Sequence, residues 1–159
     1  MIISRTHLRI SFFGGGTDFP DWYRQNRGKV ISTSINKYSY ITARYLPPFF
    51  DFNYRLRYFV KEEVNKVSSI KHPSIRETLR HLKFKNNLEI IHNADLPAQS
   101  GLGASSCFTV GLINCLTRLS GKKLTKRDIY LRAINIEQNL IKESVGSQDQ
   151  TICSIGGTN

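Results

Sequence analysis

A run of small residues interrupts the chain near its middle, and the segments on either side of it have different periodicities. From Ser100 to Ser106 the sequence reads SGLGASS. The segment NLEIIHNADL before it is rich in apolar and β-branched residues and predicts a strand that ends near Asp95. After it, apolar residues recur at helical spacing from Ala104 to about Leu119. The sequence therefore predicts a glycine-rich loop that joins a strand to the first turn of a helix.

This loop has two interpretations. The first turn of a helix carries unpaired N–H groups and the positive end of the helix dipole, and small side chains allow a phosphate to reach them. A plain strand-to-helix turn uses similar residues. The Walker A pattern is excluded because no lysine follows Gly103, and the G-x-G-x-x-G pattern fails because its third glycine position holds Ser106. The loop alone leaves both the turn and the phosphate site open.

The rest of the chain divides into a strand-rich first half and a helix-rich second half. Strands are predicted for residues 2–13, KVISTSI, KYSYITARYL and YRLRYFV. Helices are predicted for FPDWYRQN, PSIRETLRHLKF, the segment from Thr125 to about Glu143 and GSQDQTICSI. Thr125 and Asp128 have the spacing of a capping box at the start of the third of these helices. This order predicts an α+β fold.

Length and composition favour one folded domain in the cytoplasm. The 159 residues are enough for one core, and 40% hydrophobic with 22% charged residues is typical of soluble globular proteins. Because apolar runs stay below about 18 residues and the N-terminus lacks a signal-peptide pattern, we expect no membrane association. The cysteines lack metal-site spacing, which indicates reduced thiols; they are Cys107, Cys115 and Cys153.

The formal net charge of +11 raises the question of nucleic-acid binding. The sequence shows no run of five like charges, no zinc-finger pattern and no aromatic RNA-binding motif. A basic surface also suits anionic small molecules. The pattern favours small-molecule anions over nucleic acid as the partner.

Two carboxylates in the helical half are candidate functional groups. Glu137 lies on an apolar helical stripe, where a carboxylate needs a partner, a metal ion or an outlet to solvent. Asp149 follows the glycine break at Gly146 and falls near a helix start. The helix dipole alone favours an aspartate there. The residues by themselves leave a structural and a functional interpretation open for both.

A second group of candidates follows the first strand in LRISFFGGGTDF. Three glycines, Gly14 to Gly16, supply positive φ angles or allow a close approach of the backbone to a ligand. Asp18 is either a turn residue or a ligand-binding residue, and Arg9 is either an exposed strand residue or a catalytic one.

Three separated motifs resemble those of the GHMP small-molecule kinases and occur in the family's order. The family's phosphate loop, P-x-x-x-G-L-G-S-S-A, is similar to PAQSGLGASS from Pro97 to Ser106. The galactokinase opening R-V-N-L-I-G-E-H-T-D-Y is similar to RISFFGGGTDF from Arg9. The family's M-D-Q element resembles QDQ at Gln148. Within the family, the triple-glycine version looks most like the bacterial heptose-phosphate kinases, since two missing side chains leave room for a larger sugar.

The resemblance implies a fold and a set of roles. The fold is a two-layer α+β domain of the ribosomal protein S5 domain 2 type. Asp149 is expected to act as the catalytic base or orienting group, and Arg9 to stabilise it and the transferring phosphoryl group. Mg²⁺ is expected on Glu137 and the Ser105 hydroxyl, with Ser106 as a substitute. The ATP phosphates are expected at Pro97, Ser100, Gly101, Leu102, Gly103, Ala104, Ser105 and Ser106. The sugar is expected at Gly14, Gly15, Gly16, Thr17 and Asp18.

The resemblance also implies a domain organisation. Residues 1–159 are expected to form the N-terminal, ATP-binding and catalytic domain of a kinase, without the C-terminal domain that the family carries. We expect a sugar-phosphate kinase that acts on D-glycero-D-manno-heptose 7-phosphate. The alternatives are an inactive or split fragment of such a kinase, or a galactose- or fucose-type sugar kinase. The possible protein partners are a separate C-terminal half and a second copy of the chain in a homo-oligomer. A nucleic-acid-binding module is the least expected.

Overall fold

One mixed β-sheet forms the framework of the computed structural model, which describes residues 1–97 and 100–159. The five strands within these residues have the order β1-β2-β5-β3-β4. Their bounds are Ile2–Phe13 (β1), Ile31–Tyr45 (β2), Tyr54–Arg57 (β3), Lys61–Val64 (β4) and Leu88–Ala94 (β5). β1 with β2, β2 with β5 and β3 with β4 are antiparallel pairs, whereas β3 and β5 run parallel.

Most of the helices form a layer that packs against β1 and β2 of this sheet. The helices are Pro20–Tyr23 (α1), Pro73–His81 (α2), Ala104–Leu119 (α3), Lys126–Ile134 (α4) and Gln148–Ile155 (α5), and the π-helix Asn135–Ile141 extends α4. α3 lies across β1 and β2, and its Leu112 and Leu116 are buried against Ile41 of β2 and Ile90 of β5. Among the described residues, the structure contains no helix with the length and hydropathy to span a bilayer.

The predicted α+β class is confirmed, and so are several local features. α3 begins at Ala104 and ends at Leu119, as the apolar spacing predicts. The capping box is present: the Asp128 N–H donates to Thr125 Oγ1 at 3.1 Å, and the Thr125 N–H donates to Asp128 Oδ2 at 3.3 Å.

One strand prediction was wrong, and one strand was missed. KVISTSI and KYSYITARYL form one strand, β2, because the polar residues between them are absorbed by a bulge: Tyr38 pairs with His7 and Ser34 with Arg9, which leaves Leu8 opposite residues 35–37. β4 was missed because its sequence, KEEV, is charged and has low β propensity. It is stable as an edge strand, where charged side chains are common.

Candidate active site

Arg9 and Asp149 form a bidentate ion pair between β1 and the first turn of α5. Arg9 Nε donates to Asp149 Oδ1 at 2.7 Å, and Arg9 Nη2 donates to Asp149 Oδ2 at 2.8 Å. The side chains are only 11% and 23% exposed, respectively. Arg9 Nη1 donates to the carbonyl of Gly101 at 2.9 Å. Since charge-assisted bidentate pairs are strong and directional, Arg9 fixes Asp149 relative to the glycine-rich loop.

The glycine-rich loop lies directly against this ion pair. The Arg9 N–H donates to the Leu102 carbonyl at 3.1 Å. Gly103 has φ +73° and precedes the first residue of α3. A Cβ at Gly103 would lie 3.1 Å from Arg9 Cγ and 3.3 Å from Asp149 Oδ2. The sequence therefore brings the predicted catalytic pair and the predicted phosphate loop into contact.

The start of α3 is prepared for an anion. The N-cap position is Gly103, which has no side chain to accept from the first N–H groups of the helix. Those groups and the helix dipole favour negative charge. Ser105 is exposed and Ala104 is half-buried, so both border open space. Pro97 is exposed, whereas the neighbouring motif residues Ala98 and Gln99 lie outside the described residues.

Glu137 is buried beneath the start of α3. The residue is 0% exposed, and burial raises the pKa of its carboxyl above the ordinary value. Its Oε2 accepts hydrogen bonds from Ser106 Oγ, at 2.7 Å, and from Gln150 Nε2. Its Oε1 has no partner of good hydrogen-bond geometry among the described residues; the nearby Thr109 hydroxyl, which lowers the pKa of Glu137, donates instead to the Ser105 carbonyl. A buried carboxylate with one free oxygen has the chemistry of a cation ligand.

The π-helix explains how Glu137 reaches this position. Sequence periodicity predicts one continuous α-helix through residue 137, but residues Asn135–Ile141 have π-helical geometry. A π turn holds more residues than an α turn, and such turns are frequent at functional sites. Lys142 ends the segment with φ 64°. The sequence signal that identified Glu137 was the carboxylate within an apolar stripe; the π-helix had no signal of its own.

The oxygen donors at Glu137 fit Mg²⁺ bound together with a nucleotide. Mg²⁺ takes one or two carboxylates plus phosphate oxygens and water. The described residues contain no cluster of three or more acidic, histidine or cysteine side chains suited to an all-protein metal site. The unpartnered Glu137 Oε1 and the neighbouring Ser106 hydroxyl therefore fit a metal shared with phosphates. The geometry favours Ser106 over Ser105 as the hydroxyl nearest to Glu137, since Ser105 faces outward.

An apolar cavity of about 260 Å³ opens beside Ser105, and sequence reasoning missed it. Its aromatic walls come from the β3–β4 connection, α2, β5 and α3; they include Tyr58, Phe59, His72, His92 and Phe108. The His72 ring stacks on Phe108 with centroids 4.8 Å apart. Burial lowers the pKa of His92 to about 4, so this imidazole is neutral near pH 7. No local motif marks these residues, because they meet only in the folded chain.

Thr17 and Asp18, at the end of the glycine loop, border a second, more polar cavity of about 360 Å³. Gly14 and Gly16 have φ angles of +82° and +97°, which explains the glycines at these positions. Polar side chains in the cavity wall are Thr17, Asp18, Ser32, Ser147, Gln148 and Thr151. Gln148 Oε1 is buried without a hydrogen-bond partner in the described chain. This wall offers the donors and acceptors that a polyhydroxylated ligand requires.

Comparisons with known proteins show the family of the chain. The family model described as "GHMP kinases N terminal domain" matches residues 68–157. The chain is similar to D-glycero-alpha-D-manno-heptose 7-phosphate kinase of Campylobacter jejuni. The two are 28% identical over an alignment of 172 residues, which covers 99% of this chain and 49% of the relative. The chain thus spans about half the length of the curated relative it matches.

Solved structures share the fold. A D-glycero-D-manno-heptose 1-phosphate kinase from Bacteroides thetaiotaomicron superposes with a TM-score of 0.87 at 22% identity, over 100% of this chain and 55% of the other. The mevalonate kinase of Methanococcus jannaschii gives a TM-score of 0.76 at 19% identity, over 99% of this chain and 52% of the other. At these identities the likeness concerns the fold alone.

Proposed function

The chain belongs to the GHMP kinase family, and on that premise we propose that it is the ATP-binding half of a sugar-phosphate kinase. The proposed substrate is D-glycero-D-manno-heptose 7-phosphate, with transfer to its anomeric hydroxyl. The observation that carries the proposal is the close approach of Gly103 to Arg9 and Asp149, where an added Cβ would lie 3.1 Å and 3.3 Å from their side chains. This approach places a helix N-terminus that can bind a phosphate directly beside a carboxylate that can accept a proton from a hydroxyl group.

The nucleotide lies across the start of α3. The triphosphate accepts hydrogen bonds from the N–H groups of residues 101–106, which small side chains leave accessible. The base enters the apolar cavity beside Ser105, where Phe108 and the neutral His92 offer a surface for a flat ring. Mg²⁺ bound by Glu137 and Ser106 would neutralise charge on the phosphates.

Asp149 and Arg9 carry the chemical step. The anomeric hydroxyl oxygen attacks the γ-phosphorus, the bond to the ADP oxygen breaks, and Asp149 accepts the hydroxyl proton. Both Asp149 oxygens accept hydrogen bonds from Arg9, and each keeps a lone pair for the substrate. The Arg9 guanidinium holds Asp149 in place and stabilises negative charge on the transferring group.

The sugar occupies the polar cavity beside the glycine loop. Gly15 lies beside this cavity, since a Cβ there would be 3.6 Å from Nε2 of Gln148 in the cavity wall, and glycine at this position leaves room for a seven-carbon sugar. The net charge of +11 attracts a doubly charged sugar phosphate. The identity of the sugar rests on the name of the Campylobacter jejuni relative. ATP and sugar phosphates are cytoplasmic metabolites, so we propose a cytoplasmic enzyme.

The test uses the full-length protein, including any residues beyond this chain, because the relatives are about twice as long. ADP release is measured with Mg²⁺-ATP and a panel of heptose 7-phosphate, heptose 1-phosphate, galactose, fucose and mevalonate. Phosphorus NMR then locates the new phosphate. We expect turnover with heptose 7-phosphate, a product phosphate at C1, and loss of turnover in Asp149→Asn. A folded protein that binds ATP but phosphorylates none of the sugars contradicts the proposal.

A further inference from the structure

Asp18 joins the glycine loop to the start of α5. The residue is only 7% exposed. Its Oδ1 accepts from the Gly16 N–H at 3.1 Å, and its Oδ2 accepts from the Gln148 N–H at 3.0 Å. Its backbone carbonyl accepts from the Ser147 N–H at 3.1 Å. One residue thus bonds to two consecutive backbone N–H groups at the beginning of α5.

The backbone before α5 is fitted closely around this carboxylate. A Cβ at Gly146 would lie 1.8 Å from Asp18 Oδ2 and 2.4 Å from its Cγ. The φ of Gly146 lies outside the left-handed region, so contact with Asp18 is what requires glycine here. Contact with Asp18 therefore fixes the position of residues 146–148, and Asp149 is the next residue in the chain.

The carboxylate of Asp18 takes the place of an N-cap side chain for α5. Helix starts need acceptors for their free N–H groups, and they favour negative charge. Ser147, at the N-cap position of α5, makes no side-chain capping bond within the described residues. Asp18 supplies both the acceptor and the charge from a segment about 130 residues away.

We infer that Asp18 is a positioning residue, whose carboxylate fixes the first turn of α5 and thereby orients Asp149 toward Arg9 and the phosphate-binding loop. The resemblance to galactokinases assigns this residue to the sugar hydroxyls instead. A sugar ligand contributes to substrate binding, whereas a positioning residue contributes to the catalytic step. This inference rests on the proposed function, since it takes Asp149 as the catalytic group.

Two variants of the full-length protein test the inference in different ways. Asp18→Asn weakens the acceptor and removes the charge. Gly146→Ala keeps the carboxylate but displaces it with a methyl group. Asp21→Asn is the matched control: it makes the same chemical change three residues further along the chain, at an exposed side chain in the first turn of α1.

We expect both test variants to lower kcat by about 10- to 100-fold, as changes to supporting partners do. The KM for the sugar should change by less than about threefold. Circular dichroism and ATP titration confirm that each variant is folded and binds nucleotide. A raised KM with unchanged kcat in Asp18→Asn, together with parental kinetics in Gly146→Ala, would overturn the inference. An inactive parent enzyme would instead overturn the proposed function.

Discussion

Arg9 and Asp149 are 140 residues apart in the sequence, yet two hydrogen bonds of 2.7 and 2.8 Å join their side chains. A third bond ties the same guanidinium to Gly101 in the glycine-rich loop. Only a planar, forked cation makes all three bonds, because a lysine ammonium is a single point charge. The geometry of the site therefore depends on the shape of Arg9 and not only on its charge.

The first prediction follows from this shape. Arg9→Lys should lower kcat of the full-length enzyme by at least about 10²-fold, although the charge is retained. Steady-state kinetics of ADP release measure the loss. Arg5→Lys is the control, since Arg5 lies exposed on the same strand, 4.6 Å from the Tyr38 ring. A lysine variant at position 9 with near-parental kcat would show that charge alone is sufficient.

The second prediction concerns the contact at Gly103. Alanine there incurs the cost of φ +73° and presses a Cβ against Arg9 and Asp149. Gly121, just after α3, has φ +76° with open space around its Cβ position. Both alanine variants should lose about 1–2 kcal/mol of stability from the left-handed backbone. Only Gly103→Ala should also lose kcat by about tenfold or more; equal kcat in the two variants contradicts the proposed site.

The features that depend only on neighbouring residues in the sequence could be predicted from it. The helix after the loop has a clear apolar period, and the Thr125–Asp128 cap follows a spacing rule, so both could be read from neighbouring residues. The pairing of Arg9 with Asp149 had no such signal. It depends on the bulge opposite Leu8 and on the packing of α5 against β1, and only the resemblance to known kinases suggested it.

Tertiary features explain the remaining differences. His72, His92 and Phe108 are far apart in sequence and form one aromatic wall only because β5 pairs with β2 and α3 covers them. Ser105 was the expected metal hydroxyl, with Ser106 as a substitute, and the pitch of α3 turns Ser106 toward Glu137. Adjacent serines on a helix differ in direction by about 100°, and sequence does not reveal which one faces inward.

The third prediction concerns Glu137. Burial raises the pKa of this carboxyl above 4.5. Its contribution to stability is therefore present below the ordinary pKa and lost as the pH rises through the folded-state pKa. Glu137→Gln removes the stability loss that comes from ionising this buried carboxyl, so the ligand-free variant should have an equal or higher Tm than the parent near pH 7. Its Mg²⁺-dependent turnover should fall by about 10²-fold or more.

Thermal unfolding at several pH values and Mg²⁺ titration of ADP release measure the two effects of Glu137→Gln. Glu143→Gln is the control, because Glu143 lies near Glu137 and contributes to its raised pKa without bonding to Ser106 or Gln150. It should retain the parental Mg²⁺ dependence. A Glu137→Gln enzyme that keeps full Mg²⁺-dependent turnover would remove Glu137 from the metal site.

The fourth prediction concerns acid stability. Burial is the main cause that lowers the pKa of His92 from 6.5 to about 4, and the nearby His72 lowers it further. A histidine whose pKa is lowered in the folded state contributes stability above pH 6.5, and that stability is lost as the pH falls through about 4. His92→Phe should make the decline of unfolding free energy between these pH values shallower, by up to about 1.4 kcal/mol per pH unit.

Ser39→Ala separates the titration of His92 from its hydrogen bond. The Ser39 hydroxyl lies 3.0 Å from His92 Nε2, so the alanine variant loses this bond but keeps the buried imidazole. It should be less stable than the parent at every pH while retaining the parental steepness, whereas His92→Phe changes the steepness itself. Denaturant unfolding of the full-length protein at pH 7, 6, 5 and 4.5 gives both quantities. Parallel curves for the parent and His92→Phe would mean that His92 does not take up a proton on unfolding in this range, and that its burial in the aromatic wall is not what holds it neutral.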